Sequence, residues 1–545
     1  MEPLAVPETV LSIRNLSVAL PPGADRPYAV QDLGLDIRAN EIVCIVGESG
    51  SGKSITSFAT MGLLPKALKP SNGSILFEGV DLLGLPERDL ARLRGNRMAM
   101  IFQEPMTALN PCYTVGDQIE EVFAAHSDLS AAERRTRTMA LLEEVRLPDP
   151  PRIHASFPHR LSGGQRQRIV IAMALAMDPK LLIADEPTTA LDVTTQAQIL
   201  SMFRELKTRH KAGIIFVTHD FDVVAEVADR VVVMQGGCVV EQGPADEVLN
   251  RPSHPYTRRL IAAVPRRTKE ARPVSHAAPA ISVRGLTKTF TVSRGLLRRA
   301  GEVAAVKAVD FTVPAGGTLG IVGESGSGKS TLVKCLIRLL DPDSGSVTVG
   351  GTDIAALPRK DLRQHRKDIQ IVFQDPYGSL NPRRTIADQL VEGPVNFGVP
   401  RATAMQKARD LLRTVRMSED ALNRYPSQFS GGQRQRICIA RALMVEPKIL
   451  IADEAVSALD VSVQKEVLRL LSDIRQQMGL TMIFITHDLR VAAQVSDEII
   501  VMSKGEVVER GSVADVLGNP VHPYTRQLID ATPGRGWDVP ALNQG

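Results

Sequence analysis

The octapeptide Gly47-Glu48-Ser49-Gly50-Ser51-Gly52-Lys53-Ser54 recurs unchanged as Gly323-Glu324-Ser325-Gly326-Ser327-Gly328-Lys329-Ser330. Each copy follows a short apolar run, Ile42–Val46 and Thr318–Val322, that reads as a buried strand. Each opens a stretch able to continue as a helix. Strand, glycine-rich loop and helix form the setting of a phosphate-binding loop. Glycines let backbone N–H groups converge on phosphate oxygens, and the helix presents its positive end to them. Two such loops imply two nucleotide-binding units in tandem.

The rest of the chain repeats as well. The sequence SGGQRQR at 162–168 returns at 430–436, and IADE at 183–186 returns at 451–454, both 268 residues on. Thr218-His219-Asp220 and His254-Pro255-Tyr256-Thr257 recur as Thr486-His487-Asp488 and His522-Pro523-Tyr524-Thr525 at the same offset. The loop lysines Lys53 and Lys329 are 276 apart and the Phe-Gln pairs at 102–103 and 373–374 are 271 apart, so the first copy carries a surplus before SGGQ. Part of that surplus is expected in the loop-like stretch Pro65–Gly73, opposite the shorter Asp341–Gly345. Loops absorb such changes at little cost. The polar, proline-containing stretch 266–280 reads as an extended connector between a first copy, 1–265, and a second, 281–545.

Strands alternate with helices in both copies, which implies a parallel sheet with helices on its faces. Early polar/apolar alternation at Thr9–Leu20 and Ile281–Val292 suggests a separate antiparallel region. At 545 residues and net charge +4, the chain is long enough for two to four domains and has no concentrated basic stripe of the nucleic-acid-binding kind. No apolar run reaches membrane-spanning length; the best candidate, Ile169–Met177, is bounded by Arg168 and Asp178 and reads as a buried helix. The amino-terminal stretch lacks the pattern of a secretion signal. The cysteines Cys44, Cys112, Cys238, Cys335 and Cys438 are dispersed, without a CxxC, so neither a disulfide framework nor a metal cluster is expected.

The chemistry follows from what ATP hydrolysis requires: fixed positive charge and Mg²⁺ at the phosphates, and a water aimed at the terminal phosphorus. Lys53 and Lys329 supply charge, and the hydroxyls of Ser54 and Ser330 can ligate Mg²⁺. The runs ending Asp185-Glu186 and Asp453-Glu454 deliver two acids to a strand's carboxyl end, where open α/β sheets bind ligands. Asp185 and Asp453 are candidates for the Mg²⁺ shell, and Glu186 and Glu454 for general base.

LSGGQ at 161–165 and FSGGQ at 429–433 resemble the signature of ABC-type ATPases, and the family's other elements follow in order. Gln103 and Gln374 resemble the Q-loop glutamine, Ala190-Leu191-Asp192 and Ala458-Leu459-Asp460 the D-loop, His219 and His487 the switch histidine. The resemblance implies two tandem P-loop NTPase domains, each with a mainly parallel sheet, an antiparallel β subdomain and a helical subdomain carrying the signature. It implies ATP contacts from Gly47, Ser49, Gly50, Gly52, Lys53, Ser54 and Gln103, and from Gly323, Ser325, Gly326, Gly328, Lys329, Ser330, Thr331 and Gln374. The glutamines are also expected in the Mg²⁺ shell.

In that family two domains close head to tail on two ATP molecules. Ser162, Gly163, Gly164 and Gln165 would then cover the ATP on Lys329, and Ser430, Gly431, Gly432 and Gln433 the ATP on Lys53, with Asp192 and Asp460 alongside. The family also places an aromatic residue against adenine. Phe290 is the candidate in the second copy; in the first, Leu20 falls at that place and Tyr28 lies nearby. One departure is visible: Pro187-Thr188 follows Glu186, but Ala455-Val456 follows Glu454, which is expected to change the turn and not the acids.

The Q-loop segments Phe102-Gln103-Glu104-Pro105 and Phe373-Gln374-Asp375-Pro376, with both His-Pro-Tyr-Thr segments, resemble the bacterial oligopeptide/dipeptide/nickel importer family. That implies two membrane permease subunits, a periplasmic or extracellular substrate-binding protein, and a peripheral position on the cytoplasmic face of the inner membrane. Peptides are the first choice of cargo; nickel, glutathione, an opine or a sugar are alternatives. Some relatives hold an iron–sulfur cluster near the carboxyl terminus; with no cysteine after Cys438, none is expected here. The rival reading is a soluble ABC ATPase acting on ribosomes or nucleic acid. Such proteins carry a long charged helical linker, zinc modules or inserted coiled coils, none of which this sequence contains.

Overall fold

The structure is a computed structural model describing residues 8–189, 191–265, 277–292, 301–457 and 459–540. Contacts divide the chain into two compact units. One comprises Met1–Leu191, Thr195–Val264 and Pro533–Gly545; the other comprises Asp192–Thr194 and Pro265–Thr532. Among the described residues each unit holds a six-stranded and a four-stranded sheet.

In the first unit the six-stranded sheet runs in the order Cys238–Pro244, Arg230–Gln235, Ile42–Val46, Gly213–Thr218, Leu181–Asp185, Met98–Ile101. Its central strands are parallel and pair in register, Ile42 opposite Ile214 and Val46 opposite Thr218, Leu181 opposite Gly213 and Asp185 opposite Val217. Every residue of Ile42–Val46, Leu181–Asp185 and Gly213–Thr218 is buried. Strands covered on both faces read as unbroken apolar runs, which is why this sheet was visible as such runs. The second unit repeats the order with Glu506–Ser512, Glu498–Ser503, Thr318–Val322, Thr481–Thr486, Ile449–Asp453 and Ile369–Val372.

The antiparallel sheets form where alternation indicated. Thr9–Ala19 pairs with Tyr28–Arg38 on one side and Lys69–Phe77 on the other; Pro279–Val292 pairs likewise with Gly301–Pro314 and Ser344–Val349. The surplus stretch Pro65–Gly73 is a loop only in part, because Lys69–Gly73 belongs to a strand whose Lys69 and Pro70 pair with Ala19 and Val18. The longer partner strand offers ladder positions that outweigh the turn-favouring composition.

A helical segment separates the sheet strands in each unit. Its helices carry explicit start signals: Thr114 with Asp117, Ser130 with Glu133 and Ser162 with Gln165 form reciprocal capping boxes. The candidate Ile169–Met177 lies largely in helix Gly163–Leu175, and Cys44 and Cys335 are buried packing residues. No helix among the described residues is long and apolar enough to cross a membrane. The connector at 266–276 lies outside the described residues.

Candidate functional site

Each phosphate loop joins the carboxyl end of a central strand to a helix, Lys53–Thr60 or Lys329–Leu336. Gly52 and Gly328 are the helix caps, at φ 104° and 106°. A Cβ there would lie 2.6 Å from the Ala29 carbonyl or 2.2 Å from that of Ala305, so only glycine fits. Neither helix has a side-chain cap, and a helix N-terminus favours an anion. Ser49, Gly50, Ser325 and Gly326 stand exposed at the loop crowns, and Ser330 and Thr331 open the second helix.

The lysines are buried and folded back on their own loops. Lys53 Nζ donates to the carbonyls of Gly47 at 2.7 Å and Glu48 at 3.0 Å. Lys329 Nζ donates to those of Gly323 at 2.7 Å and Glu324 at 2.8 Å. Burial holds the Lys329 ammonium below its ordinary pKa, although Glu454 and Asp453 oppose this. Backbone carbonyls satisfy each ammonium weakly, and phosphate oxygens are stronger acceptors for it.

Ser54 Oγ donates to Asp185 Oδ1 at 3.1 Å. This all-oxygen pair at the head of a helix suits a hard cation such as Mg²⁺. Burial pushes the Asp185 carboxyl up to about 6, against the Ser54 hydroxyl and with the Glu186 charge adding to it. Burial likewise raises Asp453 to about 6, with Glu454 adding. A nearby cation offsets that cost, as expected of a cation ligand.

The neighbouring acids behave oppositely. Burial raises Glu186, but the His219 ring, the Thr189 hydroxyl and Lys53 outweigh it and hold the carboxyl down to about 2. Its Oε1 lies 3.2 Å from His219 Nδ1; its Oε2 accepts from Gln103 Nε2 at 3.0 Å and from Thr189 Oγ1 at 2.9 Å. In the second unit Glu454 Oε2 lies 3.4 Å from His487 Nδ1 and accepts from Gln374 Nε2 at 2.8 Å. Against burial, His487 and Lys329 hold Glu454 low, and Glu454 holds His487 above its ordinary pKa. Both glutamates adopt a left-handed backbone, φ 48° and 47°, which is strained for a residue with a Cβ. Each unit thus gathers lysine, the two acids, glutamine and histidine around the carboxyl ends of its sheet, and in the first unit the Ser54 hydroxyl joins them.

The turn after the second glutamate is a correction to expectation. Ala455-Val456 leaves it unchanged: Ser457 N donates to Glu454 O at 3.2 Å, as Thr189 N does to Glu186 O at 3.2 Å. The backbone hydrogen bond and the glutamate's φ define this turn, and neither needs proline.

Ser162 and Ser430 cap the signature helices, and Gln165 and Gln433 use their side-chain oxygens to accept the cap amides at 3.0 Å. The two glycines of each signature differ. A Cβ on Gly164 would meet Thr195 Cγ2 at 2.5 Å and one on Gly432 would meet Val463 Cγ1 at 2.4 Å, whereas a Cβ on Gly163 meets nothing and one on Gly431 only Leu459 at 4.0 Å. Asp192 precedes helix Val193–His210 and Asp460 caps helix Val461–Met478; Ala190 and Ala458 lie outside the described residues. Phe290, 39% exposed, faces Val303 across the antiparallel sheet; Leu20 and Tyr28 are half-buried.

Sequence reasoning missed Thr189 as a partner of Glu186, and it missed what the tyrosines of His-Pro-Tyr-Thr touch. Tyr256 and Tyr524 accept hydrogen bonds from the backbone amides of Glu48 and Glu324 inside the phosphate loops, both at 3.1 Å. The signal was the duplication of that tetrapeptide at the offset of 268 that SGGQ, IADE and Thr-His-Asp also show.

Comparison with known proteins shows the family to which the chain belongs. The model of the ABC transporter family matches residues 30–189 and 306–457, and that of the oligopeptide/dipeptide transporter C-terminal region matches 240–288 and 508–538. A glutathione import ATP-binding protein of Escherichia coli O157:H7 is 44% identical, covering 96% of this chain and 89% of its own length. A peptidoglycan transport ATP-binding protein of Agrobacterium fabrum is 45% identical, covering 96% of each. Among solved structures, a dimeric bacterial ABC transporter cassette is 29% identical over 43% of this chain and 98% of its own, with a TM-score of 0.40.

Proposed function

This chain belongs to the ABC transporter family, and on that premise we propose that it is the ATP-hydrolysing subunit of a bacterial importer for peptides. The observation that carries the enzymatic reading is the duplicated cluster of Lys53, Asp185, Glu186, Gln103 and His219 with Lys329, Asp453, Glu454, Gln374 and His487. The proposed nucleotide-binding domains are residues 1–265 and 281–545 with 266–280 between them; strand Pro279–Val292 takes in the last two residues of that stretch, and contacts group Pro533–Gly545 with the first unit. Relatives matching 96% of the chain are named as import and transport ATP-binding proteins, which disfavours action on ribosomes or nucleic acid.

In this mechanism Lys53 and Lys329 leave the loop carbonyls for phosphate oxygens. Ser54, Asp185 and Gln103 are the residues that would hold Mg²⁺ in the first domain, and Ser330, Asp453 and Gln374 in the second. The bound ion supplies charge neutralisation at the β- and γ-phosphates. Glu186 and Glu454, ionised at neutral pH, polarise the attacking water. His219 and His487 orient those carboxylates. Phe290 stacks on adenine in the second domain. Closure of the domains on ATP, with the signatures Ser162–Gln165 and Ser430–Gln433 as the family implies, drives the permease.

The working complex comprises two permease subunits and a substrate-binding protein, with this chain on the cytoplasmic face of the inner membrane. Peptide cargo is supported by both matches to the oligopeptide/dipeptide transporter region and by the relative named for glutathione, itself a tripeptide. The test is purification with native partners, followed by mass spectrometry of the ligand held by the binding protein. A peptide is expected; a sugar or a metal ion overturns the cargo, and recovery with ribosomes overturns the importer.

A further inference from the structure

The duplicated His-Pro-Tyr-Thr segment has no part in the chemistry described so far. Its geometry is the same in both units. His254 and His522 cap helices Pro255–Ala263 and Pro523–Asp530, their Nδ1 atoms accepting from the amides of Tyr256 and Tyr524 at 3.2 Å. Pro255 and Pro523 occupy the first helical position, where a missing N–H costs nothing. A glutamate on the last strand of each six-stranded sheet anchors the chain just before the helix. Glu241 accepts from the amides of Ser253 at 2.6 Å and His254 at 3.2 Å; Glu509 accepts from those of Val521 at 2.8 Å and His522 at 3.1 Å. Cap, proline and anchored glutamate together fix the direction of the tyrosine.

That direction ends in the phosphate loop. Glu48 N–H donates to the Tyr256 hydroxyl and Glu324 N–H to the Tyr524 hydroxyl, both at 3.1 Å. Burial pushes the Tyr524 phenol up to about 12, so it stays a neutral hydroxyl at physiological pH. The carbonyl of the same glutamate is held by the loop lysine, Glu48 O by Lys53 at 3.0 Å and Glu324 O by Lys329 at 2.8 Å. A lysine turned to phosphate would leave that carbonyl, whereas the tyrosine holds the amide of the same residue independently of the lysine.

We propose that Tyr256 and Tyr524 are positioning residues for nucleotide binding, each hydroxyl pinning the second residue of its phosphate loop so that the following amides stay aimed at the phosphates. The His-Pro-Tyr-Thr segment is on this reading part of the ATP site in each domain. The inference rests on the ATPase reading and is independent of the cargo.

The test uses the full chain and equilibrium binding of a fluorescent ATP analogue with Mg²⁺. Lys329→Ala isolates the first site and Lys53→Ala the second. Tyr256→Phe in the Lys329→Ala background, and Tyr524→Phe in the Lys53→Ala background, keep the ring and remove the hydroxyl. Losing one hydrogen bond of this kind corresponds to about a two- to tenfold weaker dissociation constant at the matching site. In the otherwise wild-type chain KM for ATP rises by a similar factor, while kcat at saturating ATP stays within about twofold. Unchanged binding in both phenylalanine variants, or weakening only in Tyr256→Ala and Tyr524→Ala, assigns the tyrosines to packing and overturns the proposal. If one phenylalanine variant does not accumulate as folded protein, the other unit supplies an independent test. Failure of Lys53→Ala and Lys329→Ala to weaken binding would instead overturn the ATP site itself.

Discussion

His219 Nδ1 lies 3.2 Å from Glu186 Oε1, and this contact largely keeps a buried carboxylate ionised. The same pairing recurs as His487 and Glu454 at 3.4 Å. Beside each glutamate stands an aspartate that burial drives the other way, to about 6. Adjacent acids with opposed environments can divide their roles, one accepting a proton and the other awaiting a cation.

Replacing the ionised acid tests the first role. Glu186→Gln and Glu454→Gln each lower ATP turnover, and removal of a general base costs about 10²–10⁴-fold. Nucleotide binding persists in both. Steady-state ATPase assays on the single variants are the check, and full activity in either one rules out two coupled working sites.

Loss of the histidine changes the pH dependence. Burial raises the Glu186 carboxyl and the histidine lowers it, so without the ring its pKa climbs. The double variant His219→Ala/His487→Ala therefore loses more activity near pH 6 than near pH 8. A kcat–pH profile reads this directly, and a deficit of equal size across that range contradicts the assignment.

The aspartates carry a stability consequence. A folded pKa raised from 3.8 to about 6 means that Asp185 contributes stability below 3.8 and loses it as the pH rises through about 6. At pH 7.5 the nucleotide-free chain bears the full cost of the ionised acid, about 3 kcal/mol at most. Asp185→Asn thus raises the thermal unfolding midpoint in the presence of a chelator at pH 7.5, and raises it less at pH 5. Scanning fluorimetry at the two pH values is sufficient; a midpoint lowered at pH 7.5 refutes the reading.

The signature glycines separate packing from function. Gly432→Ala drives a methyl into the β-branched Val463, a stiff neighbour, and overpacking of this kind costs about 1–3 kcal/mol. Gly163→Ala meets open space, so the fold is unaffected while ATP-dependent turnover falls. Unfolding midpoints and ATPase rates measured together distinguish the two; equal destabilisation by both substitutions removes the distinction.

Much of the fold was legible because its strands are unbroken apolar runs and its helices open on explicit caps such as Ser162 with Gln165. The stretch Pro65–Gly73 was misread because pairing with Val18 and Ala19, which are far away in sequence, decides its conformation. Ala455-Val456 was expected to reshape a turn that a backbone hydrogen bond and the φ of Glu454 keep intact. Phe290 lies on strand Pro279–Val292 opposite Val303, whereas Leu20, its counterpart in the first copy, falls just past the end of strand Thr9–Ala19.

By itself, the sequence determined which chemical groups each half carries and in what order, since lysine, serine, glutamine, acids and histidine recur in the same succession in both. Only the tertiary structure decided which of them meet and in what charge state. Tyr256 reaches Glu48 across 208 residues because the order of strands, not chain distance, sets neighbours. Asp185 and Glu186 are adjacent in the chain, yet one lies near 6 and the other near 2. Burial and hydrogen-bond partners control ionisation, and both belong to the folded chain.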